Sequence, residues 1–317
     1  MSARYLVTGG AGFIGSNLVH ALVARGETVR VLDNLATGRR ENLSRLLAEH
    51  GQQVELVEAS ITDPEACARA VAGVEYVFHQ AAIPSVPRSV EDPIGSHHAN
   101  VTGTLTLLEA ARRGGVKRLV FAASSSAYGE RLPNEAKVET MTPDPLSPYA
   151  VQKVACEHYL RVYHSVYGFE TVALRYFNVF GPRQDPKSQY AAAIPNFVTA
   201  ALGGRAATIY GDGGQSRDFC FIENIIEANL KAAITVGAAG EMFNVACGEA
   251  VTLLEVVDTI GRIVGTNVPP HHEPGRTGDI RHSLANIDKA RRVLGYEGKV
   301  RFAEGIERTI AWYRETR

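Results

Sequence analysis

The sequence predicts an α/β fold: a doubly wound parallel sheet, followed by a smaller mixed α/β domain. Three observations predict it. Short apolar runs alternate with helical patterns through the first half of the 317 residues. A glycine-rich turn follows the first of those runs and opens the first helical pattern. After about Ala173 the rhythm changes, and Gly203-Gly204, Gly211-Asp212-Gly213-Gly214 and Pro269-Pro270 punctuate shorter segments. Strands alternating with helices argue for β–α–β units and a parallel sheet. Such a sheet binds ligands at the carboxyl ends of its strands.

The elements follow in order. Tyr5-Leu6-Val7-Thr8 reads as the first strand, and Ile14 to Arg25 has helical spacing. Val29 to Asp33, Val54 to Val57, Tyr76 to His79, Arg118 to Phe121 and Thr171 to Leu174 read as further strands. Thr104 to Arg113 and Tyr149 to Tyr167 read as helices between them. In the second half, Thr252-Leu253-Leu254-Glu255 is a capping box opening a helix to about Val264. Asp288 is expected to cap a short helix that ends at Gly295, and the amphipathic stretch from Phe302 is expected to be helical. The division expected is 1–175 for the first domain and 176–317 for the second, with a segment near 243–247 a candidate to return to the first.

Hydrophobic residues make up 45% of the chain and charged residues 21%, values of an ordinary globular protein. The net charge of -1 favours neither nucleic acid nor an anionic membrane surface. No apolar stretch approaches the ~18 residues of a membrane span, and Met1 to Arg4 lead straight into the first strand without a signal-peptide pattern. A cytoplasmic protein is expected. The cysteines Cys67, Cys156, Cys220 and Cys247 stand far apart and are expected as buried free thiols. His97-His98 and His271-His272 have no third ligand at zinc-like spacing, so no metal is expected.

Gly9-Gly10-Ala11-Gly12-Phe13-Ile14-Gly15 satisfies both GxGxxG and GxxGxxG. Glycines let the backbone turn tightly and approach a pyrophosphate, which then sits at a helix N-terminus. A strand before and a helix after strengthen a pattern that alone is weak. Asp33 ends the second strand, 18 residues after Gly15. Its carboxylate suits ribose hydroxyls and repels a 2′-phosphate, which favours NAD over NADP. Arg39 and Arg40 are the only nearby groups that suit a 2′-phosphate; they read as solvated charges at the start of the next helix.

Tyr149 and Lys153 stand at i and i+4 on one helix face, with Ser147-Pro148 as the helix start. A lysine near a phenol favours the phenolate, and a phenolate near neutral pH can take a proton from a sugar hydroxyl. A YxxxK pattern turns up by chance about once in such a chain, so position decides. Ser124-Ser125-Ser126-Ala127-Tyr128-Gly129 runs off the end of a strand just upstream. A serine hydroxyl there can bond the reacting oxygen and relay its proton.

These motifs resemble the extended short-chain dehydrogenases that act on nucleotide sugars: TGGAGFIGS, the SSS-x-YG run, the YxxxK and LRYFNVFGPRQ. The resemblance spans essentially the whole chain. It is nearest to bacterial UDP-N-acetylglucosamine 4-epimerases, through SVPRS at Ser85–Ser89, SPYAVQK at Ser147–Lys153, GPRQDP at Gly181–Pro186, AAAIPNF at Ala191–Phe197 and SRDFCFIEN at Ser216–Asn224. It implies a Rossmann-like first domain holding NAD, a second domain binding a UDP-sugar, and a homodimer formed through helices at about Val101–Arg113 and Tyr149–Tyr167.

By the same resemblance, Ser124, Tyr149 and Lys153 are catalytic. NAD would contact Gly9, Gly12, Phe13, Ile14, Gly15, Asp33, Asn34, Ser60, Ile61, Gln80, Ala81, Ala82, Asn100 and Tyr176, besides Tyr149 and Lys153. The sugar nucleotide would contact Ser85, Val86, Ser126, Asn178, Ala192, Ile194 and Tyr210, besides Ser124 and Tyr149. Arg217 and Arg276 match the positions that clamp the UDP phosphates, a task suited to guanidinium forks. In Gly278-Asp279-Ile280-Arg281-His282-Ser283, Asp279 joins the substrate contacts and small Ser283 implies room for an N-acetyl group at C2. Many relatives carry Asp where this chain has Ser60, which implies a shorter reach toward adenine.

The implied reaction is C4 epimerisation of a UDP-hexose, UDP-GlcNAc/UDP-GalNAc with UDP-Glc/UDP-Gal alongside. A UDP-glucuronate 4-epimerase or decarboxylase is the alternative, with Arg88 or the serines to meet a carboxylate. A 4,6-dehydratase would carry acid residues where Ser125-Ser126 stand. A non-catalytic NAD-binding sensor is the alternative of another class, since fold alone gives no function; such proteins usually lose the Tyr or the Lys.

Overall fold

A computed structural model of the chain describes residues 4–130, 135–186, 193–275 and 280–316. The first half runs β1 (Tyr5–Thr8), α1 (Phe13–Val23), β2 (Val29–Asp33), α2 (Glu41–Glu49), β3 (Val54–Glu58), α3 (Pro64–Val71), β4 (Tyr76–His79), α4 (Val86–Glu91) and α5 (Pro93–His97). One π-helical turn, His98–Thr102, then leads into α6 (Gly103–Arg113). The chain continues through β5 (Arg118–Ser124), a 3-10 turn at Ser125–Tyr128, α7 (Pro148–Tyr167) and β6 (Glu170–Tyr176).

The second half adds β7 (Asn178–Phe180), α8 (Ala193–Leu202), β8 (Thr208–Tyr210), β9 (Ser216–Phe221), α9 (Ile222–Ile234) and β10 (Met242–Val245). After these come β11 (Ala250–Thr252), α10 (Leu253–Val264), β12 (His271–Glu273), β13 (His282–Ser283), α11 (Asp288–Leu294) and α12 (Phe302–Glu315).

Seven strands form one parallel sheet in the order β10-β6-β5-β4-β1-β2-β3. Helices cover both faces, so the central strands are apolar runs rather than alternating ones. β1 is buried at every position, as is β2. The order reverses between β1 and β4, and there the carboxyl ends open a crevice. β10 enters the sheet beside β6, with Met242 opposite Ala173 and Val245 opposite Tyr176.

β9 is the spine of a smaller sheet with β7, β11 and β13, while β8 pairs with β12. An aromatic knot of Phe180, Phe219, Phe221 and Phe302 holds α12 on that sheet, with ring centroids 5.6–6.3 Å apart. Asp218, fully buried, ties the sheet to the chain beyond β10 and β13 by accepting from the N–H groups of Cys247, Gly248 and Ala285.

Local signals explain the helix ends. Ser147 caps α7 through Ala150 N–H, Pro148 opens it, and Gly168 closes it in the left-handed region. Both halves of the Thr252–Glu255 capping box are present. Asp288 differs from expectation. It is the first residue of α11, because Asn286 takes the Asp288 N–H and the Asp288 carboxylate turns to Arg291. α1 begins at Phe13 and ends at Val23, and β5 and β6 run longer than their apolar cores predict. The four cysteines are free and buried.

Candidate active site

A cleft of about 990 Å³ opens at the carboxyl ends of β1, β2, β4 and β5. Its floor is the glycine turn, and the N-terminus of α1 faces it through Gly12, Phe13, Ile14 and Gly15. Gly9 has φ +68°, and a Cβ there would lie 2.7 Å from the Ala81 backbone. A Cβ on Gly15 would lie 2.1 Å from the Gly9 carbonyl. A side chain at either position would collide with the backbone of the turn or of the β4 end, so glycine is what lets the turn close beneath the helix N-terminus where a pyrophosphate would sit. No side chain caps α1, so its first amides stay available to such a group.

Asp33 stands at the end of β2 with its carboxylate accepting from Ala11 N–H at 2.9 Å and Leu35 N–H at 2.8 Å. It thereby joins the glycine turn to the loop that follows β2. Arg39 and Arg40 stand exposed at the start of α2, as the sequence predicts, and each meets a carboxylate there: Arg39 pairs with Asp185 at 2.5 Å and Arg40 pairs with Glu58. Arg39 and Asp185 both line the cleft.

The catalytic candidates converge. Ser124, at the end of β5, lines the cleft with Tyr149 and Lys153 from α7. Tyr149 is seated by its own N–H, which donates to Ser89 Oγ in α4 at 3.0 Å. Ser126 donates to Ser124 Oγ at 2.8 Å, leaving the Ser124 proton free for another partner. Burial pushes the Tyr149 phenol up to about 12, against the pull of the nearby Ser124 hydroxyl. Burial pushes the Lys153 ammonium down to about 8. The ammonium donates to Ala122 O at 2.7 Å, and its nitrogen lies 5.8 Å from the Tyr149 ring centre. Lys153 and Tyr149 thus share the cleft, with the ammonium held by a carbonyl on one side and over the phenol ring on the other.

Of the expected cofactor residues, Gly9, Gly12, Phe13, Ile14, Gly15, Asp33, Asn34, Ser60, Ile61, Gln80, Ala81, Ala82 and Tyr176 line this same cleft. Ser60 spends its hydroxyl on Thr62, through both the side chain and the N–H. Tyr176 is held by Asn229 and Gln80. Asn100 differs: it is 2% exposed and stands behind the wall, gripping both backbone groups of Ile83 and the Gln152 amide.

The expected substrate residues are less gathered. Ser85 lines the cleft, while Val86, Ser126, Asn178, Ile194, Tyr210, Arg217 and Ser283 lie off its lining. Ile194 is 1% exposed, inside α8. Arg217, on β9, donates to the Ser216 and Arg281 carbonyls. Ser283 is 5% exposed and accepts from the buried Lys137 ammonium at 3.2 Å. Ala192, Arg276 and Asp279 lie outside the described residues. Sequence reading missed Arg183, Gln184 and Asp185, which line the cleft opposite Arg39; the GPRQDP motif was the available signal.

A family model described as the NAD dependent epimerase/dehydratase family matches residues 5–246. The UDP-glucose 4-epimerase of Mycolicibacterium smegmatis is 40% identical over 312 residues, covering 98% of both chains. The crystal structure of the Thermus thermophilus UDP-glucose 4-epimerase complexed with NAD has a TM-score of 0.88 at 40% identity, covering 98% of this chain and 99% of that one. The UDP-N-acetylglucosamine 4-epimerase of Methanobrevibacter ruminantium, in complex with UDP-N-acetylmuramic acid, has a TM-score of 0.92 at 38% identity, covering 100% of each. With the glycine cradle, Asp33 and the Ser–Tyr–Lys cleft all in place, the chain belongs to the NAD dependent epimerase/dehydratase family.

Proposed function

We propose that this chain interconverts the C4 epimers of a UDP-hexose, accepting UDP-GlcNAc/UDP-GalNAc and, alongside them, UDP-Glc/UDP-Gal. One observation carries the reading: Ser124, Tyr149 and Lys153 line the same cleft as the glycine cradle and Asp33. A sugar held there meets a proton acceptor and the cofactor site together.

NAD, when bound, supplies the acceptor and donor for the hydride at C4. Gly9, Gly12 and Gly15 would hold its pyrophosphate, and Asp33 its adenosine ribose. Tyr149 takes the proton of the 4-hydroxyl at its phenol oxygen and later returns it. Ser124 Oγ, hydrogen-bonded to the phenol and held by Ser126, would relay the proton between phenol and sugar. Lys153 carries a charge below about pH 8, and that charge in the same cleft favours the phenolate. Because the hydride leaves and returns within one turnover, no NAD is consumed.

The N-acetyl preference is supported by Ser283, small and held against Lys137, and by the likeness to the UDP-N-acetylglucosamine 4-epimerase. The likeness to UDP-glucose 4-epimerases supports the plain hexoses. A carboxylated sugar is the second reading, on one observation: Arg88 lines the cleft beside Ser85. A homodimer through α7 is also proposed. Val151, Tyr159, Val162 and Val166 recur at helical spacing and are 37–65% exposed, a stripe that a partner helix would bury. No helix among the described residues is long and apolar enough to cross a membrane.

The test is incubation of the purified protein with UDP-GlcNAc, without added NAD, following the anomeric protons by NMR. UDP-GalNAc is expected to appear. No change even with NAD added would remove the N-acetyl claim and move the question to UDP-Glc and UDP-GlcA; silence on all three would overturn the epimerase reading.

A further inference from the structure

His79 ends β4 with no exposed surface, directly behind the cleft. Nothing in the proposed reaction uses it. Yet both of its ring nitrogens are engaged, and the polarity of every bond can be worked out. Thr104 Oγ1 lies 2.5 Å from the Asn100 carbonyl, which can only accept, so the Thr104 proton is committed there. Thr104 must then accept from His79 Nε2, 2.9 Å away. Nε2 therefore carries the proton. On the other side, Thr8 Oγ1 accepts the Ala81 N–H at 3.3 Å and lies 2.8 Å from His79 Nδ1. A neutral ring leaves Nδ1 as an acceptor, and Thr8 donates to it.

The result is one directed chain: Ala81 N–H to Thr8, Thr8 to Nδ1, Nε2–H to Thr104, and Thr104 to Asn100 O. Its two ends matter. Ala81 lines the cleft against Gly9, and Asn100 lies in the π-helical turn His98–Thr102, a deformation that tends to mark functional sites. Asn100 in turn holds Ile83, another cleft residue, and Gln152 of α7, the neighbour of Lys153. Phe121 packs against the His79 ring at 5.4 Å and against Lys153 Nζ at 4.6 Å, so the imidazole and the ammonium share one aromatic neighbour. Full burial and the Lys153 charge push the imidazole down to about 3. A proton on Nδ1 would reverse the Thr8 bond and set a second cation beside Lys153.

We propose that His79 is a positioning residue of the cofactor cleft: a neutral imidazole, fixed as the Nε2–H tautomer, that locks the Ala81–Ile83 wall to the π-turn and so to the helix of Tyr149 and Lys153. It touches neither cofactor nor sugar. Its role is to hold the wall at the distance from Gly9 that NAD requires.

The test has two readouts on the intact protein. Imidazole ¹⁵N shifts, recorded on uniformly labelled protein, should include a histidine with Nε2 protonated and Nδ1 accepting a hydrogen bond at pH 7, assigned to His79 by its loss on substitution. That signal should vanish in His79→Gln. NAD retained after gel filtration, measured in the acid extract, should fall about tenfold in His79→Leu and recover in part in His79→Gln, whose amide restores one bond. The KM for UDP-sugar should stay within twofold in both. An Nδ1–H tautomer or an imidazolium at pH 7 would overturn the proposal. So would undiminished NAD in a folded His79→Leu. If that variant does not fold, the tautomer of the unaltered protein still decides. NAD is read directly, so the outcome is independent of which sugar the enzyme turns over.

Discussion

Arg175 and Glu157 meet fork to fork in the interior, Nε to Oε1 at 2.8 Å and Nη2 to Oε2 at 2.7 Å, with the two side chains 1% and 9% exposed. Glu157 follows Lys153 by one helical turn of α7, and Arg175 precedes Tyr176 on β6. The guanidinium also lies 4.4 Å over the Tyr128 ring. The pair therefore pins the catalytic helix to the strand beneath it. Removing one partner leaves a buried charge, so Glu157→Gln should cost about 3–5 kcal/mol in urea unfolding. Replacing both, as Glu157→Leu with Arg175→Met, should restore most of it. Equal losses in the single and double variants would show that packing, not charge, holds this contact.

Tyr149→Phe deletes one oxygen from a side chain whose backbone is already seated by Ser89. Turnover of UDP-sugar should fall at least ~10³-fold, the upper range for loss of a positioned acid–base group. Unfolding stability should move by only about 1 kcal/mol, the worth of the one hydrogen bond lost between the phenol and Ser124. NAD content and UDP-sugar binding should be unchanged. A Tyr149→Phe enzyme with near-normal kcat would remove this residue from the chemistry.

The parts of the site that could be read beforehand are those written in adjacent residues. The glycine turn, Asp33 and the Tyr149–Lys153 spacing are local patterns, each fixed by one strand end or one helix face. What escaped depends on residues far apart in the chain. Arg39 is solvated as read, but only the fold sets Asp185 beside it across the cleft. His79 looks like any strand residue until Thr8 and Thr104 bracket it. The bonds of Asn100 to Ile83 and Gln152 join segments far apart in the chain, and no local pattern announced them. Asp288 lost its capping role to a competitor two residues away, Asn286, which only backbone geometry could rank. The spacing of Tyr149 and Lys153 showed a shared helix face, but not that Ala122 O would hold the ammonium.

Lys153 is a buried cation with a carbonyl partner and an aromatic neighbour. Its folded-state pKa, about 8, lies below the ordinary 10.5. Below pH 8 both folded and unfolded chains carry the proton, and the cost of burying it is present in full. Between pH 8 and 10.5 the folded chain releases a proton that the unfolded chain keeps, so this group makes stability rise with pH. Lys153→Met should therefore be inactive yet more stable than the parent at pH 7, by ~2 kcal/mol. The difference should shrink toward zero by pH 10. Chemical denaturation of both proteins at several pH values measures it, and a constant difference across the range would contradict the assignment.

Asp33 does two things with one carboxylate: it accepts from Ala11 in the glycine turn and from Leu35 in the next loop. Asp33→Asn turns one acceptor into an NH2 group that faces an N–H. The loop should loosen over the cleft, and NAD affinity should fall about tenfold or more, equivalent to the loss of a charge-assisted hydrogen bond. NADP should gain little, because Arg39 and Arg40 are engaged by Asp185 and Glu58. Adding Asp185→Asn and Glu58→Gln should release both guanidinium groups and raise NADP binding above that of Asp33→Asn alone. Titration of the cofactor-stripped proteins with NAD and NADP reads both changes. If Asp33→Asn alone takes NADP as well as the triple variant does, the carboxylate of Asp33 is the whole barrier to the 2′-phosphate and the two ion pairs play no part in it.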